Sequence, residues 1–177
     1  MTRSIFFFVI CIFFLLFVPK TYTEKSVFLI NEEPTVLHKG YYNNAFIIAM
    51  SFQHEQLLSF LQENEKSPIT LLITTDLLQR SPELVLALQS SKHPIGLLGS
   101  TSSSYAENND LLLKELDTFE ELLHFKPVYF MTEDLEFPSA LLKQLHQNEI
   151  NAIAPTIVTS LPETLNKGQL YLSLIHI

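Results

Sequence analysis

Hydrophobic positions in the middle of the chain fall in short unbroken runs separated by stretches of helical period. Residues 45–52, 69–74 and 95–98 are near-continuously apolar, the pattern of parallel strands covered on both faces. Residues 55–63 and 82–89 carry apolar positions at helical spacing, each after turn chemistry: Gln53-His54 before the first, Arg80-Ser81-Pro82 before the second. Ser81 suits an N-cap, Pro82 the first helical position and Glu83 the positive end of the helix dipole. The pattern predicts a βαβαβ centre. In such units functional residues gather at the carboxyl ends of the strands, here residues 51–54, 74–76 and 97–102.

The flanks extend the same alternation. Residues 27–30 read as an edge strand, broken by Asn31-Glu32-Glu33-Pro34, and residues 36–40 lead to a turn at 41–44. Residues 100–109 are small and polar and predict a loop. A long helix follows over 110–124, with leucines at 111, 112, 113, 116, 122 and 123 and Phe119 on one wide apolar face. Residues 128–131 predict a strand and 132–137 a loop. A helix follows over 138–148, with Leu141, Leu142 and Leu145 inward, and then a strand over 150–158. Residues 161–167 are irregular, and Gly168 opens a last apolar run. Strand and helix thus alternate about five times, which calls for an α/β fold on a parallel sheet. Periodicity does not distinguish an open sheet from a closed barrel.

Composition changes this picture at the N-terminus. Of 177 residues, 47% are hydrophobic, but part of that fraction is an apolar run over 5–18, after Arg3 and before Pro19-Lys20. The run suits a signal peptide or short anchor and falls below the ~20 residues of a comfortable membrane span. It favours export to the cell envelope or an anchored extracytoplasmic position, with cleavage and retention both open. The expected division is 1–23 signal or anchor, 24–44 linker, and 45–171 the domain. The single cysteine, Cys11, lies inside the run, so the rest of the chain has no disulfide framework, cysteine nucleophile or thiolate metal site. A net charge of −8 argues against a nucleic-acid partner, because no basic patch is present to release phosphate counterions.

From about Phe46 onward the chain resembles the polysaccharide deacetylases, the family of the NodB homology domain, and among them the spore-associated bacterial branch. That family has a strand ending in Thr-Phe-Asp-Asp-Gly, then an Ala-Thr-Phe-Phe strand and an Asn-Pro-Glu-Leu-Val helix. Gly-His-Glu-Ile-Gly-Asn-His and Lys-Pro-x-Tyr-Phe before Arg-Pro-Pro-Tyr-Gly come next. The corresponding segments are Met50-Ser51-Phe52-Gln53-His54, Ile69-Thr70-Leu71-Leu72-Ile73-Thr74 and Ser81-Pro82-Glu83-Leu84-Val85. They continue as Lys92-His93-Pro94-Ile95-Gly96-Leu97-Leu98 and Phe125-Lys126-Pro127-Val128-Tyr129-Phe130. Residues 141–157 resemble the helix and strand that follow. The resemblance covers roughly three quarters of the chain, mostly at scaffold positions, and implies a NodB-type (β/α) barrel, incomplete at the C-terminal end.

Such enzymes remove acetyl groups from N-acetylated sugars with a divalent metal held by one Asp and two His. A second Asp takes the proton of the metal-bound water and a distal His protonates the leaving amine. Carried over by position, the base falls on Gln53, an amide that accepts no proton at neutral pH. The three ligands fall on His54, Leu98 and Ser102, of which only His54 is a good donor. The Arg that orients the base falls on Met131, in Met131-Thr132-Glu133-Asp134-Leu135. The resemblance therefore implies a degenerate member with no confident catalytic residue and no metal, acting on the cell envelope as a module for peptidoglycan or another N-acetylated polysaccharide. Gln53, His54, Ser102, Glu133 and Asp134 are the candidates to line its groove. The alternative is an active zinc-dependent deacetylase with a rearranged site around His54, Glu133 and Asp134.

Other ionisable residues have plainer readings. His93 at a strand start is structural, His124 complements a helix C-terminus, His146 lies on a helix surface, and Asp76 caps a turn or reaches the strand-end face. The serines 102–104 lack the glycines of a nucleophile elbow. Residues 167–172 resemble the start of the family's last strand, which ends in the catalytic acid, and His176 invites that role. However, residues 172–177 also match the in-frame translation of a common sequencing adapter, so His176 carries no assignment.

Overall fold

The structure is a computed structural model, which describes residues 34–39, 45–52, 59, 63–64, 67, 69–155, 157–158 and 170–175. Gln53, His54, most of the expected 55–63 helix, the 27–30 strand, the apolar N-terminal run and His176 lie outside the described residues.

Strands β1 (Val36–Leu37), β2 (Ala45–Met50), β3 (Ile69–Ile73), β4 (Ile95–Gly99), β5 (Tyr129–Thr132), β6 (Asn151–Ile153), β7 (Ile157–Val158) and β8 (Leu170–Ile175) form one sheet. Its order is β1-β6-β5-β4-β3-β2-β8-β7, and every neighbouring pair is parallel. The described helices are α1 (Thr75–Arg80), α2 (Pro82–Gln89), α3 (Ser102–Glu107), α4 (Leu111–Leu123) and α5 (Ser139–Gln147).

Alternation along each strand divides the core in two. Ile48, Met50, Leu71, Ile73, Leu97, Phe130 and Ala152 pack with α1, α2, α4 and α5 in one cluster. Their sequence neighbours Ile47, Ala49, Leu72, Leu98, Met131 and Ile153 form a second cluster with Leu172, which contains no helical residue. Because side chains of a strand point to opposite faces in turn, the second cluster is the inner face of a curled sheet. Gly96 sits on that face because a Cβ there would come 2.7 Å from Leu72 Cδ2 and 2.5 Å from the Tyr129 carbonyl oxygen. The edges are β1 and β7, so among the described residues the sheet curls without closing. This is an α/β fold built as an incomplete (β/α) barrel, open on the side of the C-terminal β8–β7 pair.

The expected strands at 45–52, 69–74, 95–98 and 128–131 and the helices at 82–89, 110–124 and 138–148 are present, with ends that differ by at most two residues. Ser81 stands at the N-cap of α2 and Pro82 at N1, but the Ser81 hydroxyl does not make the capping bond. In α4, Leu112, Leu116, Phe119 and Leu123 are buried whereas Leu113 is 44% exposed, so the apolar face is narrower than its leucine count implies.

Four expectations are corrected. Residues 100–109 are not all loop: α3 forms there because Tyr105 buries its ring against Phe130 at a centroid distance of 5.6 Å. Residues 75–80 form a helix, started by the Thr74 hydroxyl accepting from Leu77 N. Val36–Leu37, expected as lead-in, is a strand that pairs with Ala152 and Ile153. Residues 150–158 make two strands on opposite flanks of the sheet, β6 beside β5 and β7 beside β8. Pro155 lies between them and has no N–H to continue a ladder. Strand β8 pairs with β2 from Leu170 to Ile175.

Candidate functional site

Because all strands run parallel, their carboxyl ends lie on one face of the sheet, and a cleft of about 240 Å³ opens there. Ser51 and Phe52 follow β2, Thr74–Asp76 follow β3, Leu98, Gly99 and Ser100 close β4, and Glu133 follows β5. Glu115 of α4 and Arg80 of α1 complete the wall. Phe52 is 53% exposed at the rim. Asp76 reaches this face, as one of its two sequence readings had it, on the first turn of α1 and paired with Arg80 at 2.5 Å. Arg80 Nη2 also donates to the Ser51 carbonyl at 3.4 Å.

Beneath the cleft the exits of β4 and β5 are stitched together. Asp134 Oδ2 accepts from Ser102 N at 2.9 Å and from Ser102 Oγ at 2.7 Å, and Glu133 N donates to the Ser100 carbonyl at 3.3 Å. Glu136 N donates to the second Asp134 oxygen at 3.3 Å. Partial burial pushes the Asp134 carboxyl up, but the bonds from the Ser102 hydroxyl, Ser102 N and Glu136 N outweigh it and hold the group below its ordinary value.

A second chain of bonds starts at Gly99. A Cβ there would collide with Tyr105 Oη and the Phe130 ring, so glycine lets the Tyr105 hydroxyl reach the β4 exit. Tyr105 Oη accepts from Ser100 N at 2.8 Å and donates to Glu115 Oε2 at 2.5 Å. Burial, and then the negative charge of Glu115, push the Tyr105 hydroxyl up, so it acts only as a donor to the carboxylate. Burial also raises Glu115, with Glu133 adding like-charge repulsion against the bond from Tyr105.

Of the five groove candidates, Gln53 and His54 lie outside the described residues. Ser102 and Asp134 are in contact, Ser102 being buried and Asp134 exposed. Glu133 lines the cleft without an ion-pair partner among the described residues. Leu98 is 5% exposed in the inner cluster, and Met131 packs beside it, paired in register. His93 is buried with Nε2 unbonded at the start of β4, whereas His124 is exposed and His146 half-buried. The position-by-position reading of the sequence missed Tyr105 and Glu115. Their signal is a buried tyrosine beside a glycine that cannot carry a Cβ.

The metal position implied by the family resemblance is not matched by the donors described. Leu98 has no lone pair, and the Ser102 hydroxyl gives its proton to Asp134. Among the described residues no three His, Cys, Asp or Glu side chains are placed to hold an ion.

Solved structures with this architecture decide the fold. A mutant of a CE4 family pseudoenzyme, described as having restored enzymatic activity, superimposes with a TM-score of 0.68 at 14% identity over 80% of this chain and 61% of its own. The parent pseudoenzyme is from Bacillus anthracis. The fold is that of the CE4 polysaccharide deacetylases. The peptidoglycan N-acetylglucosamine deacetylase Bc1960 gives a TM-score of 0.64 at 15% identity, covering 78% of this chain and 75% of its own. The chitin deacetylase of the fungal pathogen Colletotrichum lindemuthianum gives 0.64 at 13%, covering 80% and 77%. The chain spans about three fifths of the length of the pseudoenzyme chains. No family model matches the chain, and no curated protein matches it by sequence. No helix among the described residues is long and apolar enough to cross a membrane.

Proposed function

We propose that this chain is a deacetylase-like domain that holds a glycan without cleaving it, at the cell envelope. The observation that carries the reading is the pairing of Leu98 and Ser102, two positions where the family resemblance calls for histidine. One is packed into the apolar barrel interior and the other spends its hydroxyl on Asp134. No step through a metal follows from such donors. The cleft suits a sugar: Phe52, 53% exposed, lines it together with Ser51, Thr74, Thr75, Ser100 and Glu133. Two enzymes with this fold are deacetylases of peptidoglycan and of chitin, which makes an N-acetylated polysaccharide the first ligand to try. The apolar N-terminal run fits delivery to, or anchoring at, that location.

The test is co-sedimentation of the full chain with insoluble peptidoglycan and chitin, alongside elemental analysis. The expected result is binding without metal above background, weakened about tenfold in Phe52→Ala by loss of the aromatic platform. About one zinc per chain at neutral pH, with release of acetate from chitooligosaccharides, would replace this reading with the metal-dependent deacetylase built around His54, Glu133 and Asp134. Failure to sediment with either polymer would remove the glycan reading.

A further inference from the structure

We propose that the strand-end cleft selects the amino form of a sugar: it receives the ammonium of a de-N-acetylated hexosamine unit in preference to a neutral N-acetyl group. The inference rests on the glycan reading of the cleft and adds the charge of the unit held there. The cleft measures about 240 Å³, short of the ~300 Å³ at which pockets for drug-sized ligands begin. It therefore takes one unit of a polymer rather than a long stretch. Exposed Phe52 gives its lining one large apolar surface, which suits the carbon face of a sugar ring.

The rest of the lining is rich in acceptors and short of cations. Arg80 is the one cationic side chain among the described lining residues, and its guanidinium is spent on the Asp76 carboxylate and the Ser51 carbonyl. Charge at that wall therefore cancels internally, which leaves Glu115 and Glu133. The Glu133 carboxylate is exposed and has no hydrogen-bond or ion-pair partner among the described residues. Glu115 is half-buried and is held in the wall by the Tyr105 hydroxyl, which Ser100 N fixes in turn. Burial raises the Glu115 carboxyl and repulsion from Glu133 adds to it, so a cation between the two carboxylates relieves that repulsion. An ammonium brings a positive charge and three N–H donors to these acceptors. An N-acetyl group brings a single donor, together with a carbonyl that finds no uncommitted cation in this wall. Its methyl gains little either, because Leu98 on the floor is almost wholly buried.

The experiment is calorimetric titration of the full chain, in EDTA, with the glucosamine tetramer and with the N-acetylglucosamine tetramer. The expected result is about tenfold tighter binding of the amino form, in line with one charge-assisted contact. Glu133→Gln alters an exposed side chain that bonds to nothing described, and should remove most of that preference by weakening the amino form alone. Glu120→Gln removes an equal charge from an exposed position of α4 outside the cleft lining, and should leave the preference intact. Equal affinities, or tighter binding of the N-acetyl form, would overturn this inference and keep the glycan reading. A preference undiminished in Glu133→Gln, or lost equally in Glu120→Gln, would overturn it too, by assigning the attraction to the overall charge of −8. Binding of neither tetramer would remove the glycan reading, and this inference with it.

Discussion

At the scale of single residues, two carboxylates at the strand ends respond to acid in opposite senses. Glu115 is held above its ordinary value of 4.5 by burial, with repulsion from Glu133 adding to it. Its folded form therefore binds the proton more tightly than the unfolded chain, and its contribution to stability is full below 4.5 and declines as pH rises through the raised value. Glu115→Gln keeps an oxygen for the Tyr105 hydroxyl and removes the charge. The variant should be the more stable at pH 7, its advantage vanishing below pH 4.5, as followed by urea unfolding across that range. Asp134, held below its ordinary value of 3.8, works the other way: its contribution is present above 3.8 and is lost as pH falls further, so Asp134→Asn should flatten only the acid limb. Gly99→Ala tests the Tyr105 bridge by sterics alone. The new methyl meets the Tyr105 hydroxyl and Phe130 and should cost about 1–3 kcal/mol, the usual penalty for overpacking, seen as a lower midpoint in denaturant.

At the scale of elements, two of the three non-glycine residues with left-handed backbone among the described residues follow helices. His124 closes α4 at φ 66° and Glu149 follows α5 at φ 61°. Replacing either by glycine should stabilise the chain by about 0.5–1 kcal/mol, since only glycine enters that region without steric cost; differential scanning calorimetry on the two variants checks it. The elements themselves were readable to unequal degrees. Strands β3 and β4 and helix α2 announced themselves, because full burial leaves unbroken apolar runs and Ser81-Pro82 marks a start. Helix α3 did not: of its residues only Ser102 and Tyr105 are buried, and so short and polar a segment has no apolar period to detect. Strand β1 is two residues long, below what alternation can resolve. The candidate site followed the same rule. The departures of Leu98 and Ser102 from the family pattern are legible position by position, whereas the Ser102–Asp134 bond joins residues too far apart in sequence for local pattern to reveal.

At the scale of the whole molecule, the inner face of the curled sheet is a hydrophobic core that reaches the strand ends. Leu98 shows the consequence. It packs with Leu72, Met131 and Ile153 inside the barrel and at the same time borders the cleft, so apolar packing extends to the floor of the groove. Met131, in register with Leu98 on the next strand, extends the same layer where the family resemblance puts an arginine. Introducing one histidine where the family resemblance places a ligand is therefore expected to damage the fold before any metal binds. Leu98→His exchanges buried methyl groups for an imidazole whose nitrogens lack arranged partners, and should cost about 2–4 kcal/mol. Zinc content should not rise, because Ser102 remains bonded to Asp134. Denaturant midpoints and elemental analysis of the same preparation decide the matter. A Leu98→His protein as stable as its parent, with zinc bound, would mean that the barrel interior still tolerates the polar floor of an enzyme. The loss expected here would mean that core packing and metal binding exclude each other at this position, so that building a metal site requires Leu98, Met131 and the Ser102–Asp134 bond to change together.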